Sequence, residues 1–188
     1  MDIELIAQGI SLLGMTMNVL SFQFKEQRQI IFMQLICSVF FGVSYIMIGA
    51  YVGGLLNAIA MVRAVVYWQR ERFCAHKAFW VYAIGAACVG VYALSFTAFG
   101  VEASAKNLAV EVLPVIGMII TTFGFYLGRA RAVRFIGIAN SPLWLTYNLF
   151  NFNIGGIITE CIVLVSIIIG IVRYDLKKEM PENDKAES

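Results

Sequence analysis

The chain has 188 residues, of which 60% are hydrophobic and 14% charged, whereas soluble domains average roughly 45–50% apolar and about 25% charged; a water-soluble globular domain is therefore excluded. A net charge of +2 is too small to imply a nucleic-acid partner. With one histidine, and Cys37, Cys74, Cys88 and Cys161 far apart, no zinc site, disulfide framework or cofactor is indicated.

The opening Met-Asp-Ile-Glu-Leu carries two acids and no basic residue, so it lacks the n-region of a signal peptide, and the first apolar run is expected to remain in the mature protein. Spanning a hydrocarbon core of roughly 30 Å takes about 20 helical residues. Taken in chain order, the apolar runs predict seven transmembrane helices: Leu5 to Phe24, Ile30 to Ile48, Leu55 to Gln69, Ala78 to Phe99, Leu108 to Leu127, Phe135 to Phe150 and Ile157 to Val172. The third and sixth are short and contain polar residues. The runs are continuous and not alternating, which predicts helices and not a barrel. The segment from Tyr174 to Ser188 is charged and reads as a disordered tail.

On this map every Lys and Arg except Arg63 and Lys106 falls on the side shared by the first, third and fifth connections and the C-terminus. Positive-inside makes that side cytoplasmic, with the N-terminus outside. Trp68, Phe73, Trp80 and Tyr174 gather at the same boundary, as an aromatic belt would.

The sequence also repeats. Leu12-Leu13-Gly14-Met15 returns as Val115-Ile116-Gly117-Met118 at an offset of 103, and Val52-Gly53-Gly54-Leu55 returns as Ile154-Gly155-Gly156-Ile157 at an offset of 102. Residues 1–73 then form one three-helix repeat, 74–107 a linker helix and 108–175 the second repeat, followed by the tail at 176–188. One extra span between the copies makes them parallel, a 3+1+3 plan.

Parallel three-helix repeats around a linker are the plan of SWEET-type transporters. Ser141-Pro142-Leu143-Trp144-Leu145-Thr146-Tyr147-Asn148 resembles the Leu-Trp-x-x-Tyr-Gly segment of that family. The first repeat, from Asn18-Val19-Leu20-Ser21-Phe22-Gln23-Phe24-Lys25 through Gly49 and Asn57 to Arg63, resembles the YgjV-type bacterial inner membrane proteins, which are grouped with SWEET and PQ-loop carriers. The resemblance implies a bacterial inner membrane location and a central cavity. The first repeat lacks proline and the second has only Pro114 and Pro142, which departs from the symmetric proline hinges of SWEET-type transporters.

Charges within spans cost about 2.5 to 3.5 kcal/mol at a helix centre on insertion scales, so each needs a reason. Arg63 and Glu160 are the two obvious cases, and they are able to pair if the repeats face each other. The alternatives are that Arg63 snorkels to the inner interface or bonds free carbonyls, and that Glu160 reaches the outer headgroups. The resemblance implies that Asn57 and Trp144 line the cavity; Thr159 stands at the repeat position of Asn57, Gly42 at that of Trp144, and Tyr147 belongs to the Trp144 segment. Asn57 as a helix cap and Trp144 as a packing residue are the structural alternatives. Asn57 and Arg63 are six residues apart, about 240° around a helix, which predicts that they do not both point straight into one cavity. Asn18, Gln34, Asn140, Tyr147 and Asn148 read as interhelical glue more than as ligands.

No paired histidines, carboxylates or activated nucleophiles occur at catalytic spacing, so an enzyme is not expected. The expectation is a carrier for a small polar solute, embedded in the lipid bilayer and working by alternating access; a non-transporting receptor or scaffold is the alternative. A homodimer is left open by these residues.

Overall fold

The computed structural model describes residues 3–49, 51–150 and 154–176. Among these, seven α-helices follow one another: α1 (Ile3–Ser21), α2 (Gln27–Met47), α3 (Tyr51–Trp68), α4 (Phe79–Thr97), α5 (Ala105–Tyr126), α6 (Ala130–Phe150) and α7 (Ile154–Ile171), the last continued by one π-helical turn, Val172–Leu176. Five stretches are long and apolar enough to cross a membrane: Gln27–Met47, Tyr51–Trp68, Phe79–Thr97, Ala105–Tyr126 and Gly156–Leu176. The apolar helix Leu5–Ser21 is shorter than those. Helix α6 has the length, with 21 residues, but Arg131, Arg134, Asn140, Ser141 and Asn148 lower its hydropathy.

Large apolar side chains stand on the outer surface, among them Val39, Val62, Tyr82, Val89, Phe123, Val165 and Ile168. Lipid accepts such a surface and water does not. The interior combines apolar residues with buried Ser21, Ser38, Ser44, Arg63, Ser95, Thr122, Arg134, Ser141, Asn148 and Ser166.

Helix α2 packs between α1 and α3, and α6 packs between α5 and α7. The two groups meet where α1 touches α7, where α3 touches α5, and where α2 faces α6. These six helices form a ring, with α4 outside it against α5 and α3.

Two boundaries differ from the hydropathy reading. Gly53 and Gly54 lie inside α3 and do not precede it, because missing side chains let the helix start close against α2: a Cβ on Gly53 would stand 3.0 Å from the Tyr45 ring and one on Gly54 3.3 Å from Ile46. Gly49, at φ +75°, makes the preceding turn. Gly156 is set against Asn148 in the same way, both members displaced by 102 from Gly54 and Ile46. Helix α6 begins at Ala130, earlier than the apolar run, because Arg134 finds partners inside the protein. The tail expectation fails at its start, where Tyr174 and Asp175 are held by bonds described below. Residues 177–188 of the expected tail lie outside the described residues.

A polar cavity closed by reciprocal caps

A cavity of about 860 Å³ occupies the middle of the ring and takes its walls from α1, α2, α3, α5, α6 and α7. It runs from Ala7 and Gln8 near the start of α1 to Phe22, Phe125, Val133 and Ile167, all at most 5% exposed, which form its deep end. Asn57, Arg63, Trp144, Thr159 and Glu160 all line it. Tyr147 does not, and instead sets its ring edge-on to Trp144 with centroids 6.0 Å apart.

The expectation that Asn57 and Arg63 exclude one another fails. A separation of about 240° one way is about 120° the other, and the cavity wraps far enough around α3 to touch both. Asn57 back-bonds from Nδ2 to the carbonyl of Gly53 at 2.9 Å. Phe41, next to the expected Gly42, matches Trp144: Phe41 lies against Gly14 and Trp144 against Gly117, and both rings reach the cavity.

Arg63 is 6% exposed and does not snorkel. Its Nη1 donates to Thr121 Oγ1 at 2.6 Å and to the Met118 carbonyl at 3.4 Å, while its guanidinium carbon stands 4.8 Å from the centre of the Phe125 ring. Thr121 is held in turn by donating to the Gly117 carbonyl at 2.8 Å. Nε has no hydrogen-bond partner, and Nη2 makes none to the described residues. No ion pair joins Arg63 to Glu160 among the described residues; Glu160 has the Ser141 hydroxyl beside it, and Cys37 of α2 lies within electrostatic reach of both charges.

Hydropathy did not single out several other lining residues. Ser11 and Ser44 share a hydrogen bond of 2.7 Å across α1 and α2, and Ser44 also donates to the Ala7 carbonyl. Asn140, which the sequence marks as interhelical glue, reaches the cavity with a buried, unpartnered Oδ1. Small hydroxyls, thiols and amides in apolar helices are common packing devices, so only their convergence in space marks them as lining.

Beyond the deep end, side chains of each group cap carbonyls at or just past the end of a helix in the other group. At the end of α1, Arg134 of α6 donates from Nε to Phe22 O at 3.2 Å and from Nη2 to Phe24 O, and Tyr174 donates to Gln23 O at 2.9 Å. Both carboxylate oxygens of Asp175 accept from Arg134 Nη1 at 3.0 Å, in an ion pair whose side chains are 1% and 8% exposed. At the end of α5, Arg70 donates to Tyr126 O at 2.8 Å and Gln27 to Phe125 O at 2.9 Å. Helix C-termini leave carbonyls unsatisfied and partly negative, and these donors supply what is missing.

Residues 5–178 match the family described as Imp-YgjV, bacterial inner membrane proteins. The chain belongs to that family. It is similar to the inner membrane protein YgjV of Escherichia coli (strain K12), with 22% identity over 169 residues that cover 90% of this chain and 84% of that relative. No solved structure matches. Membership of the Imp-YgjV family makes this a bacterial inner membrane protein, in agreement with its apolar helices.

Proposed function

We propose that this chain is a small-solute carrier of the inner membrane that exposes a central cavity alternately to the two sides. The observation that carries the reading is a polar-lined cavity within a ring of six helices, sealed at one end by caps that run both ways between two three-helix groups. Such caps are suited to breaking together when one group rocks on the other.

The 3+1+3 parallel plan is part of the proposal. Its support is the recurrence of contacts: α1 on α7 matches α5 on α3, Gly54 on Ile46 matches Gly156 on Asn148, and the end of α1 is capped much as the end of α5 is. All seven helices then cross the bilayer, with α1 and α6 tolerated by the ring although they are less suited to lipid alone. The N-terminus lies outside, the capped end faces the cytoplasm, and the cavity is open outward. Asn57, Arg63, Trp144, Thr159 and Glu160 supply the solute contacts, with Tyr147 supporting Trp144.

Counterflow in proteoliposomes tests this, over sugars, amino acids, organic acids and vitamin precursors, with an Asn57→Ala/Trp144→Ala protein as control. Saturable exchange that is lost in the control is expected. Silence across the panel with correctly folded protein would overturn the carrier reading in favour of a receptor or scaffold.

A further inference from the structure

We infer that the cavity binds a small organic monocarboxylate, one oxygen of which accepts from Nη2 of Arg63, with an amino or hydroxyl group of the same molecule directed toward Glu160. The inference rests on the carrier reading only for what the binding accomplishes.

A guanidinium has five N–H donors on a planar, permanently charged group. In Arg63, Nη1 is engaged by Thr121 and the Met118 carbonyl and Nε is enclosed by protein without a partner, which leaves Nη2 as the nitrogen that a ligand reaches. The Phe125 ring centre stands 4.8 Å from the guanidinium carbon, and Thr121 is fixed on Gly117. The group is oriented by the protein while Nη2 is left to the cavity, in a residue that is 94% buried and lines it. Arg134 is the internal contrast: its Nε, Nη1 and Nη2 all donate to groups of the chain itself. A buried cation whose donors are incompletely filled is costly, and a ligand oxygen on Nη2 offsets part of that cost.

The rest of the lining narrows the ligand. Arg63 is the one basic side chain and Glu160 the one acidic side chain on the cavity wall among the described residues, so a single negative charge is matched and a second is not. That favours a monocarboxylate over a phosphate dianion. Counted from the first residues of α3 and α7, Arg63 lies about two turns deeper than Glu160, or roughly 9 Å at 1.5 Å per residue. The same wall offers Phe41, Trp144 and Met118 for an organic body, and the volume lies within the roughly 300–1,000 Å³ of small-molecule sites.

The test is binding to the full-length protein in nanodiscs, by equilibrium dialysis and ligand-induced thermal shift. The probes are the amino acids, lactate and glycolate, the amide of each acid that binds, and inorganic phosphate. At least one monocarboxylate is expected to bind, its amide and phosphate at least about tenfold more weakly, and Arg63→Lys is expected to lose at least about tenfold, since an ammonium cannot hold Thr121 and at the same time present a second, separately directed nitrogen to the ligand. If Arg63→Lys does not fold, Thr121→Val, which keeps the charge and frees Nη1, is expected to weaken the same ligand. Equal binding of acid and amide, preference for phosphate, or no monocarboxylate bound by folded protein overturns the inference. Carboxylate binding without exchange in proteoliposomes sinks the carrier reading alone, and exchange of a neutral solute without carboxylate binding sinks this one alone.

Discussion

Replacing Asp175 by asparagine removes the charge that faces Arg134 and nothing else of size. Arg134 is 1% exposed and gives Nη1 to both Asp175 oxygens at 3.0 Å, so water cannot take over the lost partner. Breaking a buried pair from one side costs about 3–5 kcal/mol. Asparagine keeps one acceptor oxygen, and Nε and Nη2 keep Phe22 O and Phe24 O, which places the loss near the lower bound, about 3 kcal/mol. Unfolding of the purified protein by denaturing detergent, followed by circular dichroism, measures this. A double-mutant cycle with Arg134→Met is expected to return a coupling of about 2 kcal/mol, the cost of orphaning the Phe22 and Phe24 carbonyls cancelling because the methionine single and the double variant both carry it. A loss under about 1 kcal/mol in Asp175→Asn, the scale of an exposed pair, would show that the pair is solvated and that the cap at the end of α1 does not depend on it.

Three further outcomes follow from the packing and the proposed topology. Gly170→Ala is expected to destabilise by at least about 2 kcal/mol, because its Cβ would overlap the Phe22 carbonyl, which is backbone and cannot turn aside; Gly90→Ala, with nothing within 4 Å, is expected to be neutral or stabilising by up to about 1 kcal/mol, and equal melting of the two would refute the account. Arg70→Met is expected to cost about 1–3 kcal/mol by orphaning the Tyr126 carbonyl at the end of α5, measured by the same detergent titration. A protein whose only cysteine is Cys74, an exposed residue of the α3–α4 connection, is expected to react with a membrane-impermeant maleimide in inverted vesicles and not in intact spheroplasts; labelling in spheroplasts would reverse the proposed orientation.

Hydropathy located all seven helices to within a few residues, because an apolar run of sufficient length in this composition has few other uses. Its errors have a common origin. Gly53 and Gly54 read as a break and are a contact surface, since glycine in a membrane helix lets a neighbour approach as readily as it ends a span. Arg131 and Arg134 read as a connection, and they belong to the first turns of α6. The cost of charge in lipid was enough to bring out Arg63 and Glu160, the family resemblance brought out Asn57, and the structure brings all three to one cavity. It was not enough for Ser11, Cys37 or Ser44, whose side chains are small enough to be at home in any helix interface.

Arg63 and Arg134 show what a one-dimensional reading of charge leaves out. Position along the chain put Arg63 deep in a span and Arg134 in a loop, which suggested a costly charge and an ordinary one. Burial reverses the second judgement, since Arg134 at 1% exposure is more enclosed than Arg63 at 6%. What separates them is whether their donors are occupied. The partners of Arg134 come from Phe22, Phe24 and Asp175, between 41 and 112 positions away, and no local pattern announces them. They leave no nitrogen of that guanidinium unengaged, which is the signature of a side chain that holds helices together. Arg63 engages one nitrogen of three within the chain. A buried cation so incompletely satisfied is stable only if its surroundings or a ligand supply the rest, and the cavity beside it is where a ligand would come from.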